Sequence, residues 1–240
     1  MFSTKVDENH LSHRFILTAS EKKEYRGKNP IGKKPLLPPA QDTQKNLLVL
    51  DLDETLIHGT YAVPPVYDFS FKLQLPVSKK TADVYIQIRP YLDEFLRITS
   101  QWFELAVYTA SLPMYADKIL DRIDPKELIK HRLYRQHCAI FKDFYVKDLE
   151  FLGRPLNRIL IVDNHPASYM AQRDNGVPIY SYFGQPDDTG LKHLLTFLET
   201  VRNEDNVIPK ARKYAARWRE RLQDFIETTR DVEETSRVIL

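Results

Sequence analysis

Leu47-Leu48-Val49-Leu50 is a continuous apolar run that ends directly in Asp51-Leu52-Asp53. A strand with one wet face alternates polar and apolar residues. A run without alternation buries both faces, as strands do inside a parallel sheet. Similar runs recur at 103–108, 159–162 and 177–182. Between them, helical spacing is predicted over 91–99 after Pro90, over 114–123, and over 189–201, where Leu191, Leu194, Leu195 and Leu198 share a stripe. Strands alternating with helices imply an α/β fold, a doubly wound and mostly parallel sheet with helices on both faces. The exception is 61–89, where 68–75 and 83–88 alternate with period two and predict a β-hairpin insertion.

The flanks differ from this body. Residues 1–44 carry no sustained apolar period and end in Lys33-Lys34-Pro35-Leu36-Leu37-Pro38-Pro39, which predicts an extended or flexible arm. The lysine pairs at 22–23 and 33–34 read as solvated linker charge rather than a nuclear address. From 206 to 240, Ala211, Tyr214, Ala215, Trp218, Leu222 and Phe225 recur at helical spacing among Lys210, Arg212, Lys213, Arg217, Arg219 and Arg221. An amphipathic basic helix follows, its Trp218 stripe docked on the domain with the arginines in water; binding to acidic protein, RNA or anionic lipid is the other use of such a helix.

Composition narrows the classes. The chain has 240 residues, 42% hydrophobic and 28% charged, enough apolar material for a core. With 35 basic and 33 acidic residues the net charge of +2 gives no overall pull toward nucleic acid, and no direct nucleic-acid contact is expected. Cys138 is the single cysteine, so no internal disulfide or thiolate zinc site can form and a reducing compartment, nuclear or cytoplasmic, is expected. No apolar run reaches the roughly 18 to 20 residues of a membrane helix, and no signal-peptide core is present. Asp7, Glu8, Glu21 and Glu24 disfavour a mitochondrial transit peptide. Only seven glycines occur, and no GxGxxG or GxxxxGK[ST] loop.

The chemistry gathers at strand ends. Asp51 and Asp53 emerge where the first run stops, at the carboxyl edge where open α/β sheets bind ligands, and their i, i+2 spacing aims both the same way. Carboxylates sharing a small space repel unless a cation or shared proton offsets the cost, and Mg²⁺, which takes oxygen ligands and keeps waters, is the economical answer. The third run ends in Asp163-Asn164, two more oxygen donors, although Asp-Asn before His165-Pro166 also suits a plain turn. The second ends in Thr109-Ala110-Ser111, a hydroxyl and free N–H groups ahead of a helix, which fits a phosphate cradle, or equally an ordinary Ser111 N-cap. Lys147 gains weight only from its company. Together these parts are what phosphoryl transfer to a carboxylate requires: a nucleophile, positive charge to suppress repulsion, and donors for the phosphoryl oxygens.

The segments Asp51-Leu52-Asp53-Glu54-Thr55-Leu56, Tyr108-Thr109-Ala110-Ser111-Leu112, Tyr145-Val146-Lys147-Asp148-Leu149 and 162–169 resemble the catalytic domain of the FCP/SCP-type protein serine phosphatases. These small carboxy-terminal-domain phosphatases of the haloacid dehalogenase superfamily are also called NLI-interacting-factor-like phosphatases. The resemblance runs over about 46–203, and the phosphatase domain is drawn at 45–205. It implies that Asp51 is the nucleophile that becomes an aspartyl-phosphate and that Asp53 is the general acid and base. It further implies Mg²⁺ on the Asp51 carboxylate, the Asp53 backbone carbonyl and Asn164, with Asp163 supporting the metal shell and positioning Lys147. Thr109, Ala110 and Lys147 hold the phosphoryl group, and Tyr61, Tyr115 and Arg135 border a substrate groove beside the insertion. His165 stands where the family usually has serine; it and His58 are expected to be hydrogen-bonded loop histidines.

The insertion of about 30 residues is too small for a lid, which suits a phosphorylated segment of another protein as substrate. A Mg²⁺-dependent serine/threonine protein phosphatase is therefore expected, a monomer, with the RNA polymerase II tail a candidate substrate. The alternatives are a weakly catalytic or non-catalytic binding subunit resembling the mitochondrial inner-membrane import receptor, and a small-molecule phosphatase.

Overall fold

The computed structural model describes residues 23–25, 35–74, 80–142 and 144–220. Five parallel strands form the central sheet: β1 (Asn46–Leu50), β5 (Phe103–Tyr108), β6 (His131–Leu133), β9 (Ile159–Asp163) and β10 (Gly176–Pro178), in the order β10-β9-β1-β5-β6. The chain winds outward from β1 through β5 to β6, then returns to the other side of β1 for β9 and β10. The winding direction therefore reverses beside β1, which opens a crevice at the carboxyl ends of β1 and β9. In register, Leu50 lies opposite both Val107 and Val162, so Asp51 and Asp163 leave the sheet at one level, with Thr109 one residue further along its own strand exit.

Successive β1 residues feed two cores, as the unbroken apolar run requires. Leu48 and Leu50 pack with helices α1 (Leu92–Trp102), α2 (Pro113–Ile123) and α3 (Gly190–Val201). Leu47 and Val49 face Tyr108, Leu133 and the short 3-10 turns at Leu149–Leu152 and Pro166–Asn175. The helices run as their apolar spacing predicts, within a few residues at each end; α2 opens on Pro113, whose missing N–H has no partner to lose there.

Several elements differ from expectation. The insertion is a three-stranded antiparallel sheet, β2 (Ile57–Thr60), β3 (Phe69–Gln74) and β4 (Thr81–Ile88), in the order β2-β4-β3. β2 shows no alternation because of its four residues only Ile57 is buried. Leu75, expected in the strand, lies outside the described residues. The run at 177–182 pairs only through Pro178: beyond the proline the backbone turns to other partners, Tyr182 N donating to the Glu54 carbonyl and the Tyr180 carbonyl accepting from Arg89. A small hairpin, β7 (Ala139–Phe141) and β8 (Phe144–Val146), delivers Lys147.

The flanks are attached to this body. Tyr25 is buried, its hydroxyl donating to Asp148 at 2.8 Å and its ring edge-on to Phe141. Leu37 is buried in the second core and Leu36 N donates to the Phe151 carbonyl at 2.7 Å. The arm expected over 1–44 is thus anchored at these points; isolated anchors among charged and proline residues carry no period to read. The helix α4 (208–220) buries Ala211, Ala215 and Trp218, and Trp218 packs on Tyr180 at 5.2 Å. Lys210 pairs with Glu204 and Arg212 with Asp174. Arg221, Leu222 and Phe225 lie outside the described residues. No described helix is long and apolar enough to cross a membrane.

Candidate active site

Asp51 continues the β1 ladder by one bond, its N–H reaching the Val162 carbonyl at 2.9 Å. The chain then turns through Glu54, whose φ of 55° lies in the left-handed region, at a cost of about 1 kcal/mol for a residue with a Cβ. Bonds from Glu54 N to the Ile57 carbonyl and from Tyr182 N to the Glu54 carbonyl hold that turn. Both aspartates thereby face a cavity of about 650 Å³ at the crevice mouth.

Lys147 Nζ lies 2.5 Å from Asp51 Oδ1 and 2.6 Å from Asp163 Oδ2, and all three side chains are almost entirely buried. Asp163 also accepts the His165 N–H at 2.7 Å. Asp53 is held at both oxygens, by Ser111 Oγ at 2.6 Å and by the Tyr115 hydroxyl at 2.7 Å. That approach needs Gly59, where a Cβ would stand 2.2 Å from the Tyr115 oxygen.

Charge does not balance here. Asp51, Asp53 and Asp163 face one ammonium, which two of them share. Burial pushes the Asp51 carboxyl up to about 7, aided by Asp163 and opposed by Lys147. Burial also raises Asp53, against the hydroxyls of Ser111 and Tyr115. For Lys147 burial works against the ammonium, but Asp163 and Asp51 outweigh it and hold the proton above the ordinary lysine range. The Tyr115 hydroxyl is raised by burial and by Asp53.

One feature of the donor set suits a hard cation. Thr55 Oγ1 lies 3.3 Å from Asp51 Oδ2 and 3.2 Å from Asn164 Oδ1. A hydroxyl has one proton, so Thr55 can serve only one of these two oxygens at a time. Asn164 Nδ2 points instead to Ser181 Oγ at 2.9 Å, which turns its oxygen toward Asp51. Among the described residues no three His, Cys, Asp or Glu side chains form a protein-only metal cage. Mg²⁺ does not need one, since it takes one or two carboxylates, a neutral oxygen, waters and a phosphate. Asp51 and Asn164 fit that role.

The cavity gathers nearly all the residues singled out in the sequence: Asp51, Asp53, Thr109, Ala110, Lys147, Asn164, Tyr61, Tyr115 and Arg135 line it, while Asp163 stands behind Lys147. Thr109 Oγ1 accepts the Ser111 N–H at 3.0 Å, and Arg135 Nε donates to the Ala110 carbonyl at 2.6 Å with its guanidinium over the Tyr145 ring. Tyr61 is exposed at the rim. Tyr115, expected at the substrate groove, is also a direct partner of Asp53. The N-cap reading of Ser111 fails, because α2 is capped at Leu112 and the serine hydroxyl goes to Asp53. The His165 ring stacks on Phe144, whereas His58, expected to be a hydrogen-bonded loop histidine, lies in β2 with its Nδ1 3.4 Å from Glu54 but without a hydrogen bond, its ring edge-on to Phe183. Sequence reasoning missed Arg89 and Ser181, which stand behind the cavity. Arg89 reads as one charge at a strand end, and Ser181 as one polar residue in an apolar run.

Comparison with known proteins agrees with this geometry. The family model for NLI interacting factor-like phosphatase matches residues 46–208. A Caenorhabditis elegans protein, CTD small phosphatase-like protein 1, is 45% identical over 179 residues, 74% of this chain and 36% of the relative. The human carboxy-terminal domain RNA polymerase II polypeptide A small phosphatase 1 is 42% identical over 168 residues, 70% of this chain and 64% of the relative. CTD nuclear envelope phosphatase 1B of Danio rerio is 39% identical over 168 residues, 67% of this chain and 69% of that one. The chain thus spans between about a third and two thirds of these relatives' length. The solved structure of Fcp1, described as an essential RNA polymerase II CTD phosphatase, superposes with a TM-score of 0.51 at 25% identity, covering 72% of this chain and 54% of Fcp1. With a family model covering well over half its length and a relative matched over two thirds of both chains, this chain belongs to the NLI interacting factor-like phosphatase family.

Proposed function

We propose that the chain is a Mg²⁺-dependent phosphoserine/phosphothreonine protein phosphatase working through a phosphorylated Asp51. The observation that carries this reading is the Lys147 ammonium, buried between Asp51 and Asp163 at the sheet edge, with Asp53 two residues on and all but Asp163 open to one cavity.

Asp51, Asn164 and the Asp53 backbone carbonyl would hold Mg²⁺. The ion would supply the positive charge that keeps Asp51 ionised and draws a phosphate dianion toward it. Lys147, the Thr109 hydroxyl and the backbone at Ala110 would take the phosphoryl oxygens. An Asp51 oxygen attacks phosphorus as the bond to the serine oxygen breaks, and Asp53 gives its proton to that oxygen. The raised Asp53 carboxyl suits a group that must begin protonated. Asp53 then takes a proton from water, whose oxygen attacks phosphorus, releasing phosphate and free Asp51.

The open cavity, with the β2-β4-β3 sheet on one side and Arg135 and Tyr61 at its rim, supports a peptide segment as substrate. The relatives' names make the RNA polymerase II carboxy-terminal domain the first substrate to test and the nucleus the first place to look. Turnover of a phosphoserine peptide with Mg²⁺, with EDTA, and by Asp51→Asn and Asp53→Asn protein tests the reading. Either variant keeping more than about a tenth of wild-type turnover would overturn the roles, since each group contributes orders of magnitude.

A further inference from the structure

Arg89 is completely buried at the end of β4. An arginine out of water must be paired, and its partners come from three separate segments. Nη1 donates to the Thr55 carbonyl at 3.0 Å, Nη2 to the Tyr180 carbonyl at 3.0 Å, and Nε and Nη2 to the Asp188 carboxylate at 2.7 and 2.9 Å. Asp188 in turn accepts the N–H of Gly190, the first residue of α3. A Cβ at Gly190 would stand 2.3 Å from Arg89 Nη2, so the close approach excludes a side chain there.

Two of these contacts lie beside the partners of the oxygens that face the cavity. The Thr55 hydroxyl is the group shared by Asp51 and Asn164. Tyr180 precedes Ser181, whose hydroxyl takes the Asn164 amide and so turns its oxygen toward Asp51. One planar guanidinium therefore ties the turn after β1 to the strand exit after β10, and Asn164 and Asp51 are aligned between them.

We infer that Arg89 is a positioning residue for the Asp51 and Asn164 oxygens, setting their affinity for a divalent cation; this rests on the reading that the site takes Mg²⁺. A lysine cannot reproduce the fork that meets three acceptors. Loss of a direct outer partner of a metal ligand, here the Ser181 hydroxyl, costs about 10- to 100-fold in metal affinity, and Arg89 acts one contact further out.

The test is a thermal-shift titration with MgCl₂ alone, reading the half-saturating concentration from the rise in midpoint. Wild type is compared with Arg89→Lys, with Ser181→Ala, and with Glu104→Gln. Glu104→Gln breaks a partly buried pair with Arg154 and His131 outside the cavity lining and is the control for stability alone. The expected result is a half-saturation raised about 10- to 100-fold in Ser181→Ala, raised in the same direction in Arg89→Lys, and unchanged in Glu104→Gln although its midpoint without metal falls. Should Arg89→Lys fail to fold, Asp188→Asn takes its place with the same expected rise, since it loosens the guanidinium while leaving Arg89, Ser181 and Asn164 in the chain. Half-saturation within about twofold of wild type in the folded variants would overturn the inference and leave the proposed reaction standing. Wild-type protein whose midpoint does not respond to MgCl₂ would overturn the metal reading itself, and this inference with it.

Discussion

Asp51→Asn should abolish turnover and yet stabilise the metal-free protein, with a pH dependence whose sign follows from burial. The Asp51 carboxyl moves from an ordinary 3.8 to about 7 on folding, because burial and Asp163 disfavour its charge more than Lys147 favours it. A carboxyl raised on folding binds more protons in the native state than in the unfolded chain, so its charging opposes folding as pH rises. The cost is absent below the unfolded value, grows between the two values, and is complete above the folded one. At about 1.4 kcal/mol for each unit it reaches about 4 kcal/mol, of which a little over half is added from about pH 5 to about pH 8. Asparagine has no charge to bury. Urea unfolding in EDTA at several pH values, for wild type and Asp51→Asn, reads the difference directly. The wild type should lose about 2 kcal/mol relative to the variant over that range, and Mg²⁺ should remove most of the loss. Parallel stability profiles in EDTA would refute the claim that Asp51 is an undercompensated buried charge.

Lys147→Met leaves Asp51 and Asp163 facing each other without their shared cation, so kcat should fall about 100- to 1,000-fold and stability by about 3 kcal/mol, measured by peptide turnover and urea unfolding. Gly59→Ala should push the Tyr115 hydroxyl off Asp53 and lower kcat; Tyr115→Phe should do the same, and the double variant should be no worse than the poorer single one, because both remove one contact. Trp218→Ala should cost about 3 kcal/mol of stability while leaving kcat unchanged at a temperature where the variant is folded, since the residue packs on Tyr180 and does not line the cavity.

The sheet and the edge that carries the candidate site were legible because the signals are local and strong. Asn46–Leu50 has both faces buried and therefore no alternation, and the acidic residues follow it without a gap. The register that levels Asp51 with Asp163 follows once those strands are parallel neighbours. The short strands β2, β6, β7 and β8 were not legible: three or four residues show no period, and their pairing depends on what the rest of the chain places beside them. Tyr25 and Leu37 fall in the same class, single anchors whose pockets form only on folding. Arg89 is the instructive case. A charged residue before a proline looks like surface, and only the convergence of Thr55, Tyr180 and Asp188 makes its burial possible.

The claim on which the rest depends is that Asp51 itself accepts the phosphoryl group. Wild-type protein mixed with a phosphoserine peptide and MgCl₂, quenched in acid within one turnover and mapped by mass spectrometry, tests it directly. Phosphorylated Asp51 is expected, disappearing after longer incubation as inorganic phosphate is released. Steady turnover with an unmodified Asp51, or with the phosphoryl group on another residue, would contradict it.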